Sequence, residues 1–290
     1  MNHIKCFISF LFLVPLLGFS QTTNETSTKE ASKKNRPTYR GISLGGLGIG
    51  SFRDFATSPL TYSGISLSSS RFKLKIDQAR ETQLGSALAI GFYGNTFNDH
   101  FSQSIVISPS IYYSELYEIK RFSSEKLNVK AGGMIDLSAN VRINPDLNNN
   151  AVGYELIPTL FGSAKGTLDV SRNVDRYKKF LFFKYHLLKR TKKLALRFNV
   201  GLVNSSYRNG YVYSGQSFLL NDSKLFDGYQ FKVFSGFRMS SSLDYTLYSR
   251  KNSNAVQFSY VWDAYTTGGN FDTFEMAQHA LRFTLLFNTN

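Results

Sequence analysis

LNVKAGGMIDLSANVRI, from Leu127 to Ile143, sorts its residues by parity. Leu127, Val129, Ala131, Gly133, Ile135, Leu137, Ala139, Val141 and Ile143 fall on odd positions and carry no charge. Lys130, Asp136 and Arg142 all fall on even positions, beside Asn128, Ser138 and Asn140. Side chains alternate across an extended chain, so this period of two predicts a strand with one apolar and one polar face. The stretch is much longer than the ~5–6 residues of an ordinary globular strand, and it covers the ~9–11 residues that a tilted membrane strand requires.

The same two-faced pattern recurs along the chain. Leu84, Leu88, Ile90 and Phe92 share one parity, and a further strand is expected from about Gln103 to Glu118. After the turn composition of NPDLNNN at Asn144, the residues Val152, Tyr154, Leu156 and Leu160 alternate with Glu155 and Thr159. Leu181, Phe183, Tyr185 and Leu187 alternate with Lys184 and His186; the basic turn KRTKK then precedes Leu194, Leu196, Phe198, Val200 and Leu202. Tyr229 to Ser249 keeps one apolar parity and predicts a single very long strand, with a split at Ser240 to Ser242 as the other option. Val256, Phe258, Tyr260 and Trp262 mark the next strand, and Leu281, Phe283, Leu285 and Phe287 the last.

Two parity switches interrupt the early pattern. Ile42 and Leu44 give way to Leu47 and Ile49, and Ile65 and Leu67 give way to Phe72, Leu74 and Ile76. Each predicts a bulge or a break, and Gly45-Gly46 supplies the residues for the first. Gly210 to Leu220 and Lys165 to Arg172 are places where a strand could begin or end unseen. The count predicts an all-β, transmembrane antiparallel barrel of about twelve strands, with about ten as the fallback.

Composition agrees with strands. The chain has 290 residues, with 26 phenylalanines, 17 tyrosines, six prolines and a single tryptophan, a β-favouring profile. Mean hydropathy is slightly negative, as expected where lipid-facing and lumen-facing residues alternate. The net charge of +14 favours anionic solutes or acidic head groups as partners. Nucleic acid is a poor partner for a chain that reads as exported. Met1 to Ser20 combines Lys5, an apolar run from Phe7 to Phe19, and small residues before Gln21, which predicts a cleaved signal peptide. Residues 21–39 are expected to form a disordered polar lead-in, and residues 40–290 a single barrel domain. The sole cysteine, Cys6, lies in the leader, so no disulfide framework is expected.

Alternation also describes soluble barrels, so the direction of the faces decides between them. Strand length favours the membrane, as do the aromatics Tyr112, Tyr113, Phe183, Tyr185, Tyr260 and Trp262 near strand ends, which suit interfacial girdles. The leader ending in Phe-Ser before Gln21, the polar lead-in, the amphipathic strands and a final strand carrying Phe283 and Phe287 together resemble the outer-membrane β-barrel proteins of Gram-negative bacteria. That resemblance covers nearly the whole mature chain and implies an outer-membrane location in contact with lipid. Members of that class often end on an aromatic residue, whereas here Asn288-Thr289-Asn290 follow Phe287.

The polar face then defines a lumen. Its candidate residues are Lys73, Lys75, Lys130, Asp136, Arg142, Glu155, Lys184, Arg197, Arg238 and Arg282. Their basic excess implies a narrow pore or binding channel for small anionic solutes. The alternative is a non-conducting structural barrel that binds another envelope protein, its bore plugged by salt bridges in which Asp136 and Glu155 satisfy arginines. A third expectation, lipid hydrolysis by a His100 and Ser102 pair, is the least favoured: the pair shares parity with Ser104, Ser108 and Ser110, away from lipid, and Asn98-Asp99 reads as a turn. No catalytic residue, cofactor or metal ligand set is assigned. His186 reads as a hydrogen-bonded filler and His279 as an interfacial residue. Gly45-Gly46-Leu47-Gly48 lacks the lysine and helix of a phosphate loop.

Overall fold

A computed structural model describes residues 36–209, 229–250, 252–269 and 272–289. The expected signal peptide, most of the expected lead-in, Cys6 and the Gly210 to Leu220 segment lie outside the described residues. Among the described residues there are thirteen strands: β1 (Thr38–Asp54), β2 (Ser58–Ile76), β3 (Arg80–Phe97), β4 (His100–Glu118), β5 (Leu127–Ile143), β6 (Val152–Asp169), β7 (Arg176–Phe180), β8 (Phe183–Leu187), β9 (Lys192–Asn209), β10 (Tyr229–Val233), β11 (Phe237–Tyr248), β12 (Ala255–Thr266) and β13 (Phe274–Asn288).

Ten of these, joined antiparallel, close on themselves: β1 through β6 in sequence, then β9, β11, β12 and β13, with β13 back against β1. β10 is one extra strand beside the end of β9, so the fallback count is the one realised. β5 has the bounds of the opening stretch and pairs with β6 without a slip from Leu127 opposite Leu168 to Ile143 opposite Val152. The segment expected to add a stave after β6 does not join the barrel. It forms a separate two-stranded hairpin, β7 with β8, because five-residue strands are too short to span. Tyr229 to Ser249 is divided, but not at its serines: Ser240–Ser242 run through β11, and the break falls at Phe234–Gly236, where Phe234 (φ 54°) and Gly236 (φ 82°) turn left-handed.

The apolar face points outward. On β2, Ile65 and Leu67 are 64% and 52% exposed, while Ser66 between them is 5% exposed. Leu47, Ile49, Phe92, Ile111, Ile135, Leu202, Leu281 and Phe283 continue this exposed apolar belt around the wall. A soluble barrel would have the opposite sense, since contiguous apolar surface of this extent is avoided in water. Tyr113, Tyr260 and Trp262 sit on the outer face, and His279 Nδ1 lies 2.6 Å from the Tyr260 hydroxyl there. Tyr112, expected in the girdle, instead lines the lumen and accepts a hydrogen bond from Gln83.

The first parity switch is a bulge, as expected. β1 slips by one residue against both neighbours between Ser43 and Leu47, with Gly45 at φ 74°. The second is not. β2 pairs with β3 in unbroken register from Ser63 to Ile76, so Phe72, Leu74 and Ile76 turn inward, where they pack against Tyr39, Tyr248, Ala255 and Leu286. The even number of staves returns the chain to one end of the barrel, where Thr289 N–H donates to Thr38 O at 2.9 Å. That end is the terminal end below; the opposite one is the far end.

Candidate functional site in the barrel lumen

At the far end the bore is crossed by four charges. Asp54 ends β1, Glu155 lies on β6 across the bore, and Arg142 and Arg208 come from β5 and β9. Arg142 reaches Asp54 at 2.5 Å and Glu155 at 2.7 Å, while Arg208 reaches Asp54 at 2.7 Å. All four are buried. Aromatic packing completes the closure: Phe52 stacks on Tyr62 at 5.2 Å, Tyr93 and Phe274 pack on Phe52, and the Arg142 guanidinium lies 4.7 Å from the Phe274 ring centroid. Delocalised guanidinium charge tolerates such faces better than an ammonium.

Deeper in, Arg238 on β11 holds Asp136 on β5 at 2.9 Å and Asp263 on β12 at 3.1 Å, and donates to Ser138 at 2.6 Å. This network walls a chamber of about 250 Å³. Hydroxyls dominate much of its lining, from Ser66, Ser68, Ser70, Ser110, Ser240–Ser242 and Ser259. Two arginines in this lining differ from those at the far end. Arg197 donates to Asn199 at 2.9 Å and Gln83 at 3.4 Å, both neutral. Arg282 has no hydrogen-bond or ion-pair partner among the described residues; its buried Nε is unsatisfied, as it is in Arg142 and Arg208, so the missing carboxylate is what sets it apart. The chamber also contains Asp244, which accepts from Ser242 at 3.2 Å, and the Lys165–Glu81 pair at 2.7 Å.

The predicted lumen residues therefore divide. Lys130, Asp136, Arg142, Glu155, Arg197 and Arg238 are buried, and Arg282 lines the chamber. Lys130 donates to the Asp77 carbonyl near the terminal end. Lys73 and Lys75 are corrections: they are exposed and share the parity of Ile65 and Leu67, because β2 has no bulge to turn them inward. Lys184 lies on β8 of the hairpin rather than on a stave.

Asp54, Glu81, Lys165, Arg208, Asp244 and Asp263 were missed. Four of them were legible in principle: Glu81 keeps the parity of Gln83, Lys165 that of Glu155, Asp244 that of Ser242, and Asp263 that of Ser259. Arg208 was not, because β9 bulges between Gly201 and Val203, opposite Phe161 and Leu160, and reverses its parity. Asp54 escaped because its inward neighbour is the apolar Phe52.

His100 is exposed beside the tight turn formed by Asn98 (φ 47°) and Asp99 (φ 64°). Ser102 does not engage it; its hydroxyl lies 3.2 Å from Tyr62 and 3.3 Å from Asn144. The side chain of His186 lies outside the described residues. Among the described residues no cluster of His, Cys, Asp and Glu has the form of a metal site.

No family model matches this sequence, and no curated protein matches it. Solved structures do. The outer membrane protease OmpT of Escherichia coli aligns with a TM-score of 0.51 at 8% identity, over 87% of this chain and 97% of that one. The translocator domain of the autotransporter NalP from Neisseria meningitidis covers 99% of both chains at 6% identity, with a TM-score of 0.35. An outer membrane channel from Pseudomonas putida F1 covers 87% of this chain and 96% of its own at 7% identity, with a TM-score of 0.32. The fold is that of a bacterial outer-membrane β-barrel. At such identity the likeness extends to architecture alone.

Proposed function

We propose that this chain is an integral protein of the bacterial outer membrane, exported with its leader removed, that acts as a narrow binding channel for small anionic solutes. The observation that carries this reading is the pair Arg197 and Arg282, which line a hydroxyl-rich chamber without touching a carboxylate. A guanidinium with unmet donors in a confined site attracts an anion able to accept them, and the serine hydroxyls can complete its shell. The chamber volume of about 250 Å³ restricts the occupant to something small. A second reading, a non-conducting structural or partner-binding barrel, is favoured by the Asp54–Arg142–Glu155–Arg208 cluster that spans the far end.

Planar-bilayer recording of the refolded protein under a potassium chloride gradient separates the two. The channel reading expects a small unitary conductance with an anion-selective reversal potential, moved toward zero by Arg197→Gln and Arg282→Gln. Absence of any conductance would overturn it in favour of the closed barrel.

A further inference from the structure

The β7–β8 hairpin forms its own sheet apart from the barrel wall, and none of its described residues lines the chamber. It leaves the terminal end between β6 and β9, and its base is fastened to the wall. Arg172 and Arg190 exchange backbone hydrogen bonds at 3.0 and 3.1 Å, Arg190 donates to the Tyr248 carbonyl at 3.2 Å, and Arg250 pairs with Asp175 at 3.2 Å. Beyond the base the tip of the hairpin is open to its surroundings. Leu181, Phe182 and Phe183 at its tip are 68%, 90% and 74% exposed, and Tyr177 is 81% exposed. Leu181 adopts φ 53°, a left-handed conformation that glycine or asparagine would take at less cost. The sequence brackets this apolar tip with Lys178, Lys179 and Lys184. Burial in a protein core would strand those charges, whereas an interfacial layer takes both kinds of group: rings among the upper acyl chains, ammonium groups at the phosphates.

A second observation points to the same occupant. On the far side of the barrel wall from the hairpin, but at the same end, Arg40, Arg71, Lys73 and Lys75 project outward on β1 and β2. They sit where the exposed apolar belt begins at Ile42 and Leu67. Outward cations at that level face head groups, not solutes.

We propose that the β7–β8 hairpin is a membrane arm whose Leu181–Phe183 tip inserts among the head groups of an anionic phospholipid leaflet at the terminal end. Beyond its fastened base each five-residue strand of the hairpin spans roughly 17 Å, a reach that sets the tip away from the wall and toward the surrounding lipid. The arm stabilises the barrel's seating and is independent of what the lumen carries.

The test places a fluorophore at the tip of the full chain. Trp262 is the only tryptophan and sits on the outer wall, so Trp262→Phe with Phe182→Trp places the sole tryptophan at the tip, to be excited selectively over tyrosine. The refolded variant is reconstituted into vesicles of zwitterionic lipid alone or with one part in about three of an anionic phospholipid. The expected result is blue-shifted emission in the anionic vesicles, quenched by lipid brominated near the head-group end of the chains. Replacing Lys178, Lys179 and Lys184 by glutamine should return emission toward its aqueous position, with the barrel still folded by heat-modifiable gel migration. Water-like, unquenched emission in anionic vesicles overturns the proposal. Equal quenching in neutral lipid, unaffected by loss of the lysines, also overturns it, since the anionic head group would then have no part.

Discussion

The far-end closure and the chamber below it are built from the same residue types and treat them in opposite ways. At the far end Arg142 is held by two carboxylates and an aromatic ring, and Arg208 shares Asp54 with it. In the chamber Arg197 has only neutral acceptors and Arg282 has none among the described residues. Burying charge is costly unless partners replace water. A cluster whose guanidiniums each hold a carboxylate therefore serves the fold, even with Nε of Arg142 and Arg208 left without a partner, and a guanidinium that holds no carboxylate beside open volume serves a ligand or water. The barrel separates its structural charges from its available ones by depth.

The sharpest way to break that distinction is to make one substitution at both levels. Arg142→Met removes the cation between Asp54 and Glu155 and leaves their carboxylates buried with Arg208 alone. Orphaning buried charge in this way costs about 3–5 kcal/mol, to be read as a lowered urea midpoint for the folded barrel. An effect under about 1 kcal/mol would mean that water reaches the far end freely. Phe274→Ala tests the apolar half of the closure. Phe274 is fully buried among Phe52, Tyr265 and Met276, so its loss should cost about 3 kcal/mol and raise single-channel conductance if the channel reading holds.

Much of this was legible before any coordinates. Strict alternation located nearly every stave, and it gave β5 its ends, because a barrel stave is amphipathic along its whole length. The misplacements of Lys73, Lys75 and Asp54 share one cause: equating apolar with outside. Near both ends the bore is packed with Phe52, Tyr62 and Phe274 or with Phe72, Leu74 and Tyr39, so inward residues there are as apolar as outward ones. That inversion made Lys73 and Lys75 look internal and hid Asp54. The hairpin was mistaken for a stave because its short strands alternate too; only their length distinguishes them. Pairing across the bore, such as Arg238 with Asp136, joins residues a hundred positions apart and leaves no local trace.

The smallest expected effect is the most informative one. Arg282→Met makes the same chemical change as Arg142→Met, but at a site where no carboxylate is left behind in contact. The lost guanidinium had no hydrogen-bond or ion-pair partner among the described residues, so its desolvation was never offset by a carboxylate. Stability should change by less than about 1 kcal/mol and in the favourable direction if the chamber is dry. If water fills the chamber the change is closer to zero, since solvation already served that arginine. A loss as large as that of Arg142→Met would place Arg282 among the structural charges and remove the basis for assigning the chamber to a ligand.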